Sequence, residues 1–188
     1  MPWYYKILIA LAVGIIIFLI VVALQPASFR VVRSATIAGP PPRIFEEVND
    51  LHKWEAWSPW AKIDPACKMT YDGPAAGNGT SMAWVGNANV GAGRMTITDS
   101  RPSESIRIRL DFEKPFKGTN TAEFTFAPKG DQTQVTWSMW GEKNFITKAI
   151  GLFVSMDRMI GGNFEQGLTQ LGSVVQPSTN RRPEPVHE

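Results

Sequence analysis

The chain changes hydrophobic period twice, and each change marks a different element. Ile7 to Leu24, ILIALAVGIIIFLIVVAL, carries no charged or strongly polar side chain. A helix of that length rises about 27 Å, close to the hydrocarbon thickness of a bilayer. Trp3, Tyr4 and Tyr5 precede it, where amphipathic rings favour the headgroup layer. A cleaved signal peptide is the competing reading. The apolar run exceeds the usual signal core, however, and no A-x-A site follows in VVALQPASF. The pattern therefore predicts a single-pass membrane anchor over residues 1–28. Lys6 lies on one side of it and Arg30, Arg33 and Arg43 on the other, a slight lean towards a cytoplasmic domain that leaves the side open.

From Phe29 the pattern becomes β-branched. FRVVRSATIAG reads as a strand ended by Gly39 and three prolines, and PPRIFEEVNDLHKWEAW as two short helices, with proline tolerated in the first turn. Short strands follow with turn punctuation: CKMTYDG, GTSMAWVG, GRMTITDS, ESIRIRLDF, TNTAEFTFAP and TQVTWSMWG. ESIRIRLDF alternates cleanly, with Ile106, Ile108, Leu110 and Phe112 on one face and Arg107, Arg109 and Asp111 on the other. That period predicts an antiparallel meander with one buried and one wet face. Apolar residues then return at helical spacing from Phe145 to Leu171: Ala149, Phe153, Met156, Ile160, Phe164, Leu168 and Leu171. One long amphipathic helix is expected, with Gly161-Gly162 inside it either as a kink or as a point of close approach. The polar, proline-rich end, residues 176–188, is expected to be disordered.

This order implies an α+β domain over residues 29–175, a curved antiparallel sheet wrapped around a long C-terminal helix. One helix does not fill the concavity of a twisted sheet, so an apolar gap is expected between them. Composition narrows the function. Net charge is +2, and the first basic pair is Arg181-Arg182, which gives nucleic-acid binding little electrostatic support. Cys67 is the lone cysteine and the two histidines, His52 and His187, are far apart, so no disulfide or metal site is expected. No cofactor is called for.

The element order, with PPRIFEEVNDLHKWEAWSPW after the first strand, GNGTSMAWVGNANVGAGRMTI, TQVTWSMWG and FEQGLTQL, resembles the START-like (SRPBCC) superfamily, within it the polyketide cyclase/dehydrase-like group. The resemblance covers residues 29–175 and implies the helix-grip fold, with a cavity that holds hydrophobic small molecules or lipids in many members. Other members are cyclases, hydrolases or chaperone co-regulators, so the fold alone does not fix the role.

Candidate residues follow from the faces. Trp54 and Trp57 share a helical face and Pro59 stops the helix before Trp60, so the cluster WEAWSPW either plugs the core or rims a pocket. Trp57, Trp84, Ile97, Ile108, Phe124, Trp137, Met156 and Ile160 are expected to line the pocket. Acid–base candidates are Asp111, Glu113, Glu123, Glu142, Asp157 and His52; alternation aims Asp111 and Glu123 at solvent, and Asp157 reads as one half of an ion pair on the helix surface. The leading expectation is a membrane-tethered binder of an apolar molecule or lipid. An enzyme of cyclase/dehydratase or hydrolase type, or a protein-interaction module presenting Trp60 and Trp140, are the alternatives.

Overall fold

In the computed structural model, which describes residues 2–176, the chain runs α1 (Trp3–Ala23), β1 (Ser28–Ala38), α2 (Pro41–Asn49), α3 (Trp54–Trp57), β2 (Lys68–Asp72), β3 (Ser81–Val85), β4 (Ala92–Arg101), β5 (Ser105–Lys114), β6 (Gly118–Lys129), β7 (Gln132–Glu142), α4 (Phe145–Gly151) and α5 (Met156–Val175). Short 3-10 turns, Leu51–Lys53 and Pro59–Lys62, flank α3. All seven strands form one antiparallel sheet in the order β1-β7-β6-β5-β4-β3-β2. The architecture is the expected α+β helix-grip. The end of the chain expected to be disordered lies, from residue 177 on, outside the described residues.

Alternation explains the sheet. On β7, Val135, Trp137 and Met139 point inward and are buried, while Gln134 faces out. Against this face lies α5, which buries Phe164, Leu168, Leu171 and Val175. Each such side chain removed from water contributes about 1.5–3 kcal/mol. The short helices close one end of the layer pair. Ile44, Phe45 and Val48 of α2 and Trp54 and Trp57 of α3 join the same core. Trp54 Nε1 donates to the Val48 carbonyl at 2.9 Å and Trp57 Nε1 to the Glu47 carbonyl at 3.1 Å, which satisfies both indoles without water.

The single long helix expected over Phe145–Leu171 is two helices. Asn144 caps α4 by accepting from the Thr147 backbone N–H at 2.8 Å, and the chain leaves helical geometry between Gly151 and Met156. Extended Ser155 then opens α5. Apolar residues keep helical spacing across the break, so periodicity alone joined the two pieces. Phe153 falls in the break and is 80% exposed, not part of the buried stripe. Phe153→Asp is therefore expected to shift stability by less than about 0.5 kcal/mol, whereas Phe164→Asp, burying an unpaired carboxylate, should prevent folding or cost several kcal/mol. Urea unfolding of the fragment spanning residues 28–176 checks both; equal costs would place Phe153 back in the core.

Gly161 is a point of close approach. The Arg33 guanidinium, reaching inward from β1, occupies the space a Cβ at Gly161 would need, while Gly162 faces open space. Arg33 pairs with Asp157 at 2.8 Å and with Glu165 at 2.6 Å, one helical turn to either side of that glycine. These bonds hold the Asp157 carboxyl below its ordinary range, chiefly through the hydrogen bond from Arg33. The arrangement fastens the first turns of α5 to the edge strand.

Candidate functional site

Sheet and α5 part company towards the end of the sheet where α5 begins. The gap is a cavity of about 390 Å³, in the range of small-molecule sites. Strand residues supply its floor: Met82 and Trp84 on β3, Met95 on β4, Leu110 and Phe112 on β5, and Met139 on β7. Met156, Met159, Ile160 and Phe164 of α5 form the roof. Methionines make up much of this wall, and flexible thioethers can repack around apolar guests of different shape.

Two glycines let the aromatic wall form. A Cβ at Gly93 would come within 2.7 Å of the Trp84 ring, and one at Gly167 within 2.8 Å of Trp137. Trp137 is held between Phe164, stacked at 4.0 Å, and Phe124 at 4.6 Å, with Trp54, Trp57 and Trp60 edge-on. Its indole N–H is buried and has no hydrogen-bond partner among the described residues. The neighbouring ring faces are the weak acceptors available to it.

Of the pocket residues expected from sequence, Trp84, Ile108, Trp137, Met156 and Ile160 lie together on the cavity wall. Trp57, Ile97 and Phe124 do not. They are fully buried in the core, Trp57 on α3 and Ile97 and Phe124 on the inward face of the sheet. On β4 and β6 the cavity instead touches the inward residues two positions earlier, Met95 and Ala122. Trp60, half-buried, lines the cavity, and Trp140 lies under the Arg30 guanidinium carbon at 5.0 Å.

A family model described as "Polyketide cyclase / dehydrase and lipid transport" matches residues 28–176. The chain belongs to this family. No curated protein sequence matches it. Solved structures agree on the fold at low identity. The Zhui aromatase/cyclase from Streptomyces sp. R1128 is 13% identical, covers 82% of this chain and 97% of its own, and superposes with a TM-score of 0.60. Protein CV1439 from Chromobacterium violaceum is 18% identical over 81% of this chain and 99% of its own, with a TM-score of 0.55. Aha1 from Colwellia psychrerythraea is 15% identical over 81% and 99%, at 0.53. Membership supports a ligand-binding or cyclase-type role for this polyketide cyclase/dehydrase-family chain.

The polar groups on the family member's cavity wall are few: Glu55, Ser58, Cys67, Tyr71 and Asn120. Tyr71 is stacked on His52 at 4.0 Å, and His52 Nδ1 lies 2.9 Å from an Asp50 oxygen. Burial first, then the charges of Glu55 and Asp50, push the Tyr71 phenol above its ordinary value. Burial likewise raises the Cys67 thiol. Both therefore stay protonated near neutrality, as hydrogen-bond donors rather than as base or nucleophile. Sequence reasoning missed Tyr71, although its alternation with Met69 on β2 was available as a signal. None of the acid–base candidates expected from sequence lines the cavity. Glu123 pairs with Arg107 at 2.8 Å, Asp111 with Arg109 at 2.9 Å and Asp157 with Arg33; Glu113 and Glu142 are exposed. Among the described residues no group of three His, Cys, Asp or Glu side chains converges as a metal site.

Proposed function

We propose that this chain is a membrane-tethered binding protein for an apolar small molecule or lipid, held between the sheet and α5. Residues 1–28 act as the anchor and residues 29–175 as the binding domain. The observation that carries the reading is the composition of the 390 Å³ cavity: methionine, tryptophan and aliphatic side chains, with a few polar groups able to orient one end of a guest. Burial keeps two of its wall groups, the Tyr71 phenol and the Cys67 thiol, protonated as hydrogen-bond donors. Trp84, Ile108, Trp137, Met156 and Ile160 are the residues proposed to touch the ligand.

Tethering is supported by α1, which is long and apolar enough to cross a bilayer and buries only Val22 against the rest of the chain. A signal sequence near the N-terminus can pass the same length-and-hydropathy criterion. Full-length protein is expected to stay with membranes through alkaline carbonate extraction; recovery in the soluble fraction at its full mass would remove the anchor.

Binding is tested by titrating the fragment spanning residues 28–176 with a hydrophobic fluorescent probe. Saturable binding with quenching of intrinsic tryptophan fluorescence is expected, because Trp84, Trp60 and Trp137 all border the cavity. Linear, non-saturating uptake would contradict the reading. One observation favours a cyclase-type second reading, the Tyr71–His52–Asp50 array at the wall. Tyr71→Phe would abolish turnover under that reading, and under the binding reading would alter only affinity.

A further inference from the structure

The cavity extends to the end of the sheet at which α1 joins β1. Register places Ser28 of β1 against Glu142 of β7, Phe112 against Gly118, Lys114 against Ala92, and Ala92 against Val85. The start of β1, to which α1 leads, therefore shares an end with the β3–β4 loop, the β5–β6 loop and the start of α4. The cavity reaches this end, since Val90 and Pro115 in those two loops and Met159 of α5 all line it. α4 is also tied directly to the end of α1. Lys148 Nζ lies 3.5 Å from the Ala23 carbonyl, and the Lys143 backbone N–H donates to the Ala27 carbonyl at 2.7 Å.

Exposed apolar side chains gather at that end. Val85 and Phe116 stand at the two loops, and Phe145, Ile146, Ile150 and Phe153 on α4 and the turn after it, all substantially exposed. The turns at the opposite end, residues 73–80, 102–104 and 130–131, expose no large apolar side chain. Four lysines lie on the same loops and on α4: Lys114 and Lys117 at the β5–β6 loop, Lys143 just after β7 and Lys148 on α4, alongside Glu113 and Glu142. An apolar patch with lysines on the same loops fits the boundary between acyl chains and anionic headgroups.

We infer that this rim is a membrane-docking face: it seats on the leaflet from which α1 emerges and opens the cavity onto the bilayer, so that an apolar ligand passes between membrane and cavity without crossing water. The occupant is the bilayer itself, because α1 and α4 are joined at the point where a spanning helix would leave it. The inference rests on the reading of α1 as a membrane span, and Phe153, 80% exposed, contributes little to the packing of the domain.

The test uses the full chain in phosphatidylcholine vesicles, with and without phosphatidylglycerol. Single cysteines replace Ile15, Phe116, Asp131 or Phe153 in a Cys67→Ser background, and each carries an environment-sensitive fluorophore. Lipids spin-labelled near the carbonyl end of the acyl chain serve as quenchers. Labels at 116 and 153 should be blue-shifted and quenched severalfold more than the label at 131, more strongly with phosphatidylglycerol, and the label at 15 should report insertion. Quenching at 15 with 116 and 153 no more quenched than 131 would overturn the docking face and leave the anchor standing. No quenching at any position would overturn the anchor and the docking face together. A blue shift at 116 and 153 without lipid quenching would assign the rim to a second copy of the chain and overturn the inference.

Discussion

Trp137→Ala is expected to lower the unfolding free energy of the fragment spanning residues 28–176 by about 3–5 kcal/mol. The ring is nearly parallel to Phe164, at an interplanar angle of 6°, and stacks on Phe124 on the sheet side. Three further tryptophan rings meet it edge-on, and Gly167 is bare so that α5 can approach it. Removing the ring leaves a void that borders the existing cavity, and its neighbours lose their stacking contacts together. Trp137→Phe keeps a ring in the stack and should recover most of the loss. The Trp137 N–H has no conventional hydrogen-bond partner to lose among the described residues. Denaturant unfolding measures both; a loss below about 1 kcal/mol for the alanine variant would mean that the stack does not join helix to sheet.

Leu110→Trp is expected to weaken binding of the hydrophobic probe by at least about tenfold, equivalent to about 1.4 kcal/mol, while the domain stays folded. Leu110 is half-buried on the cavity floor, so the larger ring can enter empty space instead of displacing packed atoms. Ile97→Val is the contrasting change. Ile97 is fully buried in the core, so the variant should cost about 0.5–1.5 kcal/mol of stability and leave probe affinity unchanged. The reverse pattern would place the binding site in the core around Ile97.

That contrast also marks where sequence was informative. Period-two alternation on ESIRIRLDF and TQVTWSMWG determines which side chains face inward, and it did so for Ile106, Ile108, Val135, Trp137 and Met139. Alternation carries no information on depth along a strand. Whether an inward residue meets the dry core or the cavity depends on where α2, α3 and α5 sit, a tertiary fact. Hence Ile97 and Phe124 face the right way and pack in the core, while Met95 and Ala122, two residues earlier on the same strands, meet the cavity. The break in the last helix was hidden for a similar reason. Helical spacing survives an interruption of Leu152–Ser155 because the apolar residues on both sides still fall near one stripe, although Phe153 in fact points to solvent. Gly161 was legible as a possible close approach, but its partner was not: Arg33 lies on the first strand, far away in sequence.

Tyr71 shows the opposite limit. Its strand was recognised, but a single tyrosine in a five-residue strand carries no signature of the His52 stacking or of the nearby acids that raise its phenol. Those relations exist only once β2 is folded beside the Leu51–Lys53 turn.

Occupancy of the cavity by an apolar guest can be read by native mass spectrometry of the full chain, released gently from membranes. A mass excess matching one apolar small molecule or lipid per chain is predicted, reduced in Leu110→Trp and retained in Ile97→Val. Bare chain mass in the parent protein under conditions that preserve folding, or an adduct equally abundant in all three proteins, would contradict it.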